Sequence, residues 1–435
     1  MSSDEITGHD PLHVAVAWVG RLGGPVLAAV VVWLLARHAP GLGWEGRVTA
    51  AVVVLMAVWW MTEAIPLPVT SLLPIGLSVI AMMAGQNHGH GVPTSDSGIV
   101  GEGSADGLPH DDLTRLAPCL LLGIAYAANI GGVGTLVGTP PNVLLAGFVK
   151  TQYAIEIGFG RWMLFGIPLV AIFILIAWWI LTRIVFRIRG WRIAGSTDLI
   201  REELKRLGPM RRGERIVLIV FVGTAVAWAV REPLTAWSGL AATWPAARNI
   251  NDTTIALAAA ILLFLIPVDL RRGVFALDWE TAQRLPWGVL LLFGGGLSLA
   301  KAVSTSGLAT WIGDQMSAFS AWPLAAIVVV TTVLVILLTE VTSNTATTTT
   351  FLPILGGVAT GIGAPPLLLL VPAALAASFA FMLPVATPPN ALVFGSGQIT
   401  MGQMIRAGMW LNVVGAVLIP LLLYTVGQSV LPLGP

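Results

Sequence analysis

With 435 residues, 10% of them charged and 56% hydrophobic, and a mean hydropathy of +0.85, the chain carries more apolar surface than a soluble fold of its size can hide; soluble domains are about one-quarter charged. A formal net charge of +1, with Asp198, Glu202, Glu203 and Glu214 interleaved among the basic residues, excludes a basic face for nucleic acid. The single cysteine, Cys119, excludes an intramolecular disulfide and a multi-cysteine metal site.

From the start of the chain, Met1 to Pro11 is polar, carries Asp4, Glu5 and Asp10, and lacks the basic region of a cleaved signal peptide. Apolar stretches then follow at about 23–36, 48–61, 67–84, 117–148, 162–182, 216–230, 253–268, 287–300, 322–339, 366–395 and 408–430. Some reach the length that crosses a bilayer and others fall short, as broken or re-entrant segments do. The expected class is therefore an all-α polytopic membrane protein with about ten membrane segments. Between the third and fourth stretches, Gly85 to Arg115 is rich in Gly, Ser, Asp and His. His88, His90 and His110 there have no metal-ligand spacing, so a mobile polar linker is expected rather than a metal loop. From Arg183 to Arg215 lie ten of the 23 Lys and Arg residues, which places that loop in the cytoplasm. Gly294, Gly295 and Gly296 follow no strand, so helix packing accounts for them better than nucleotide binding.

Two features point to a solute site. The segment Ala125–Asn142 recurs 248 positions later as Ala373–Asn390, with seven of 18 aligned positions identical and Thr-Pro-Pro-Asn closing both copies. Repetition at matching places in two halves is the trace of a repeat-built transporter. Two prolines in a membrane helix break it and free carbonyl oxygens, which with a threonine hydroxyl make an oxygen cage suited to a hard cation such as sodium. The helix begun after the break points its positive end at the same spot, where an anion is stabilised. A plain proline kink is the competing reading, weakened by the second copy.

The second feature is the run Thr339 to Ile354, in which Ser343, Asn344 and Thr345 sit between apolar stretches. Polar groups concentrated there need partners or a water-filled cavity. A chain that dips in and returns over 322–362 would place them at a hairpin tip within the membrane, where neutral donors can hold a carboxylate or sulfate reversibly. A loop or a helix cap is the alternative. Glu63 and Glu340 both follow a threonine; a hydrogen-bonded carboxylate bracing the hairpin is favoured over proton coupling.

Together, Trp59–Thr70, Leu121–Gly132, Gly138–Asn142, Pro286–Gly296 and Thr339–Ile354 resemble the divalent anion:sodium symporter family of dicarboxylate, citrate and sulfate carriers. The resemblance implies an inverted-repeat, elevator-type transporter with re-entrant hairpins and broken helices, working as a homodimer in the cell (plasma or inner) membrane. Carried over by position, it implies a sodium site at Thr339, Thr342, Asn344 and Ala386. A second sodium site would include Gly138. Substrate would meet Ser343, Asn344, Thr345, Thr387 and Pro388, with Thr139 and Pro140 in the first half. Sodium and a small anion are the implied ligands, and no organic cofactor is expected.

The implied organisation is N-terminal scaffold helices at 1–66, a shortened first-hairpin region and linker at 67–116, and a first-repeat transport segment with its broken helix at 117–161. Scaffold helices with the basic loop fill 162–252. The second repeat occupies 253–435, with hairpin 322–362 and broken helix 366–395. Family members carry two Ser-Asn-Thr elements and this chain has one. Val69–Ile75 resembles a join between two similar family segments, with Thr70 and Ser71 as candidates to rebuild the first half-site. Five crossings would then precede the basic loop, so either 67–84 is re-entrant or the N-terminus lies outside. No His-Glu-x-x-His, Gly-x-Ser-x-Gly or paired catalytic carboxylates favour an intramembrane enzyme. Anion exchange and a transport-deficient shortened homologue stand beside sodium symport as alternatives.

Overall fold

The computed structural model describes residues 11–62, 110–188, 205, 208–236, 250–285, 287–316 and 322–432. The expected third stretch at 67–84, Glu63, Thr70, Ser71, His88 and His90 lie outside them, as does most of the basic loop.

Helices dominate because a backbone in hydrocarbon must satisfy its own polar groups. Helices α1 (Pro11–His38) and α2 (Trp44–Thr62) form a tightly packed pair. Their spacing is set at Gly24, where a Cβ would meet Trp59 Nε1 at 2.7 Å. The Trp59 indole donates to the Gly20 carbonyl at 3.1 Å. The stretch 117–148 becomes two helices, α3 (His110–Gly132) and α4 (Pro140–Tyr153). Helix α5 (Phe159–Trp179) continues as a π turn over Ile180–Val185. Helix α6 (Arg212–Ala236) packs on α5 and on α7 (Asp252–Leu265), where Arg231 pairs with Asp252 at 2.6 Å. The apolar side chains Ile219, Phe221 and Val226 of α6 are exposed, which is the composition of a surface facing lipid.

The strand pair β1 (Pro267–Asp269) and β2 (Val274–Phe275) is a small departure from an all-α chain. Pro267 ends the helical part of the expected 253–268 stretch by removing a backbone donor. Helices α8 (Trp279–Gln283), α9 (Gly288–Thr305) and α10 (Leu308–Met316) lead to α11 (Leu324–Thr339) and α12 (Asn344–Gly361). Then come α13 (Leu367–Ala377), a 3₁₀ turn at Pro384–Ala386, α14 (Pro388–Gly395) and α15 (Met401–Leu422), which ends in a π turn.

Among the described residues, four helical spans are long and apolar enough to cross a membrane: Trp18–His38, Phe159–Val185, Arg212–Arg231 and Met401–Val430. Leu116–Gly132, Asp252–Leu265, Leu324–Thr339 and Leu367–Ala377 are shorter apolar helices. Every residue of α13 is buried, and a helix apolar all round belongs at the centre of a bundle. It packs against α4, α11, α12 and α15. The α11–α12 pair thus takes the place of the expected hairpin, but its arms diverge and each packs chiefly on other helices: α11 on α13 and α15, α12 on α9, α10 and α13. A second, smaller apolar cluster joins Leu42, Val53 and Met56 to Leu299, Val303, Leu308 and Ala346.

Candidate functional site

The site is built around the C-terminal end of α13. At Ala377 the helix stops, and its last carbonyls lack intrahelical donors. Thr339 Oγ1, at the end of α11, lies 2.7 Å from the Ala377 carbonyl oxygen and 2.8 Å from Asn344 Oδ1. Three oxygens from three elements converge there, at the negative end of a buried helix. Ser343 is the N-cap of α12 and makes no side-chain cap bond, so Ser343, Asn344 and Thr345 hold the start of that helix, where free amides concentrate. All three are half-buried.

The rest of the hydroxyl-rich run serves the helix. Thr342 donates to the Leu338 carbonyl at 2.8 Å and pairs with Thr347 Oγ1. Thr348 and Thr349 bond back to the carbonyls of Asn344 and Thr345 at 2.8 and 2.7 Å. Such back-bonding lets a threonine sit in a buried helix without an outside partner.

The two Thr-Pro-Pro-Asn copies adopt one geometry. Thr139 stands at the N-cap position of α4 with φ −147° and ψ 142° and makes no side-chain cap bond, and Thr387 caps α14 with φ −146° and ψ 150°. In each, the prolines fill the first turn of the following helix, where a backbone donor would be free anyway. Contrary to the proline-break expectation, they start the second piece of helix rather than end the first; α3 stops at Gly132 and α13 at Ala377, each several residues earlier. The carbonyls in the gap are also not left open. Asn142 Nδ2 donates to Val133 and Thr135 at 3.3 and 2.9 Å, and Asn390 Nδ2 donates to Ala380 and Leu383 at 3.0 and 3.1 Å. The closing asparagine of each motif is therefore the brace of its own break. Gly138 fits because a Cβ there would collide with the Gly132 carbonyl oxygen. Ala386 is buried in the 3₁₀ turn, while Pro140 and Pro388 are exposed.

Contacts cross between the halves. Thr139 Oγ1 lies 3.3 Å from Ser378 Oγ, beside Ala377. Asn129 of α3 donates through Nδ2 to Thr387 Oγ1 at 3.0 Å and to Asn390 Oδ1 at 3.2 Å. Among the described residues no direct hydrogen bond joins Ser343, Asn344 or Thr345 to Thr387 or Pro388; Asn344 is tied to the α13 end through Thr339, and Thr387 to Asn129 and Asn390.

Glu340 ties this together. Its buried carboxylate, on the C-cap residue of α11, accepts from the backbone N–H groups of Phe381, Met382 and Leu383 at 2.8 to 3.1 Å. Asn412 Nδ2 on α15 adds a bond at 2.6 Å. Gly408, one turn earlier, lets α15 approach so closely that a Cβ would collide with the Phe381 backbone. Tyr126 closes the other side by donating to the Phe381 carbonyl at 2.8 Å. The bracing role expected of Glu340 is what this geometry performs. Sequence reading missed Asn129, Ser378, Tyr126 and Asn412; for Asn129 and Asn412 an amide inside an apolar segment was the available signal.

Residues 102–431 match the family pattern of the sodium:sulfate symporter transmembrane region. The sodium-dependent dicarboxylate transporters SdcS of Staphylococcus aureus strains RF122, USA300 and NCTC 8325 are each 36% identical to this chain, over 95% of it and 92% of the relative. The chain belongs to the divalent anion:sodium symporter family. It is a multi-pass membrane protein. The alignments to these symporter relatives span 485 positions, more than the 435 residues present here, so the relatives carry residues without a counterpart in this chain.

Proposed function

We propose that this chain is a secondary active transporter in the cell membrane that couples sodium to the movement of a small divalent anion, a dicarboxylate such as succinate before citrate or sulfate, and that it is not an enzyme. The observation that carries the reading is the convergence of Thr339 Oγ1, Asn344 Oδ1 and the Ala377 carbonyl oxygen. An oxygen-only set at a helix C-terminus suits a hard monovalent cation, and Thr342 and Ala386 would complete the ion's surroundings. Beside it, the start of α12 at Ser343, Asn344 and Thr345 and the start of α14 at Thr387 and Pro388 present positive helix ends and neutral donors to a dianion. Thr139 and Pro140 supply the matching helix start in the first half, with Gly138 in the lesser sodium site. The duplicated break geometry fits inverted repeats, and we assign the elevator motion and the homodimer to the same reading.

Reconstitution in proteoliposomes tests it. An inward sodium gradient should drive succinate accumulation, more slowly than through the Staphylococcus aureus relative, and potassium should not replace sodium. Sodium-independent exchange of internal for external succinate would instead make the chain an exchanger. Absence of both movements would make it a transport-deficient homologue.

A related comparison separates the halves. Thr387→Val should weaken succinate binding about tenfold, or about 1.4 kcal/mol, while Thr139→Val should weaken it less, because Thr139 is paired with Ser378 rather than capping its own helix. Equal dissociation constants for the two variants would contradict this assignment.

A further inference from the structure

We infer that Asn129, a first-half residue, is a specificity-determining positioning residue: it fixes the Thr387 hydroxyl as an obligate donor to the transported anion. The inference rests on the reading that Thr387 faces substrate, and it follows from counting donors and acceptors. The carbonyls of Ala380 and Leu383 can only accept, so the Asn390 side chain must turn Nδ2 toward them. Asn390 Oδ1 is then left facing Asn129, which must present its NH₂ group. The second N–H of that group reaches Thr387 Oγ1. The same oxygen also accepts from the Asn390 backbone N–H at 3.3 Å. A hydroxyl oxygen has two lone pairs, and both are now engaged.

What remains on Thr387 is its proton. Among the described residues no acceptor is placed within hydrogen-bond reach of it, in a side chain that is almost wholly buried. A buried donor without an acceptor is costly, and an anionic oxygen relieves that cost best. The same wiring keeps Thr387 from offering a lone pair to sodium, so cation and anion are sorted onto different threonines: Thr339 for one and Thr387 for the other. The first half lacks the device. Thr139 and Ser378 can each donate to the other, and among the described residues the buried Asn142 Oδ1 has no donor. The residue aligned with Asn129 in the repeat is Ala377, which has no amide to give.

The test is a double-mutant cycle on the purified full chain, reading the succinate dissociation constant in saturating sodium and the thermal stabilisation by sodium alone. Asn129→Ala should weaken succinate several-fold, by no more than the loss of about tenfold in Thr387→Val, and leave the sodium response unchanged. Asn129→Asp, which keeps the shape but can only accept, should capture the Thr387 proton and lose succinate to at least the same degree. In a Thr387→Val background, Asn129→Ala should have no further effect, since the hydroxyl it acts through is gone; a general structural role would persist there. Additive losses, or wild-type succinate affinity in both Asn129 variants while Thr387→Val is impaired, would overturn the inference alone. Unchanged affinity in Thr387→Val would instead remove Thr387 from the substrate site and take the inference with it.

Discussion

Asn344→Ala is expected to abolish the stabilisation that sodium plus succinate confers on the purified protein. A ligand at a hundred times its dissociation constant raises the stability of a one-site protein by about 2.7 kcal/mol, which a thermal-shift titration reads easily. The side-chain oxygen of Asn344 is one of the three that meet at the α13 end, and a hydrogen bond to a charged group, the nearest comparison, is worth about 1.5–3 kcal/mol. The backbone role of the residue survives the substitution, because its carbonyl still receives Thr348 Oγ1 and Ser343 still begins the helix. The loss should therefore appear in the ligand response and not in the unfolding temperature without ligand. A variant that responds like the wild type would take the α11–α12 tip out of the binding site.

The largest effect on the fold itself is expected at Glu340. Removing the side chain in Glu340→Ala strands three backbone N–H groups and the Asn412 amide in the protein interior. Each buried donor left unpaired costs about 1–3 kcal/mol, so the total, about 4 kcal/mol or more, is a large part of what holds a domain together. Little folded protein should be recovered. Glu340→Gln keeps one acceptor oxygen but turns an NH₂ group toward backbone donors, and should lower stability by about 2–4 kcal/mol. Asn412→Leu removes a single donor and should be milder. Thermal unfolding of the three variants in detergent gives the order. If Glu340→Gln unfolds like the wild type and instead changes how uptake depends on pH, Glu340 carries protons and is no brace.

Much was legible in the chain before any tertiary contact was considered. Membrane residence follows from composition, since apolar residues in such excess have nowhere to go in water. That the segments are broken was visible in the paired prolines, which a continuous helix does not accommodate; that the prolines begin the second piece of helix rather than end the first came from the structure. The division between α11 and α12 was visible because Ser343, Asn344 and Thr345 interrupt two apolar runs. These are short-range signals, each read within a turn or two of helix.

Partnership across the molecule could not be read this way. Glu340 and Asn412 are 72 positions apart, and Asn129 and Thr387 are 258 apart; nothing in either neighbourhood names the other. Nor does the repeat predict which carbonyls remain open, because the Asn142 and Asn390 amides reach back over seven or more residues to close them. The reason is the directionality of hydrogen bonds. Apolar burial depends on how much surface is removed from water and can be estimated residue by residue, whereas a buried donor is satisfied only by one acceptor at one place. Which oxygens gather at the end of α13, and which buried hydroxyl keeps an unpaired proton, is decided only when helices distant in the chain come together.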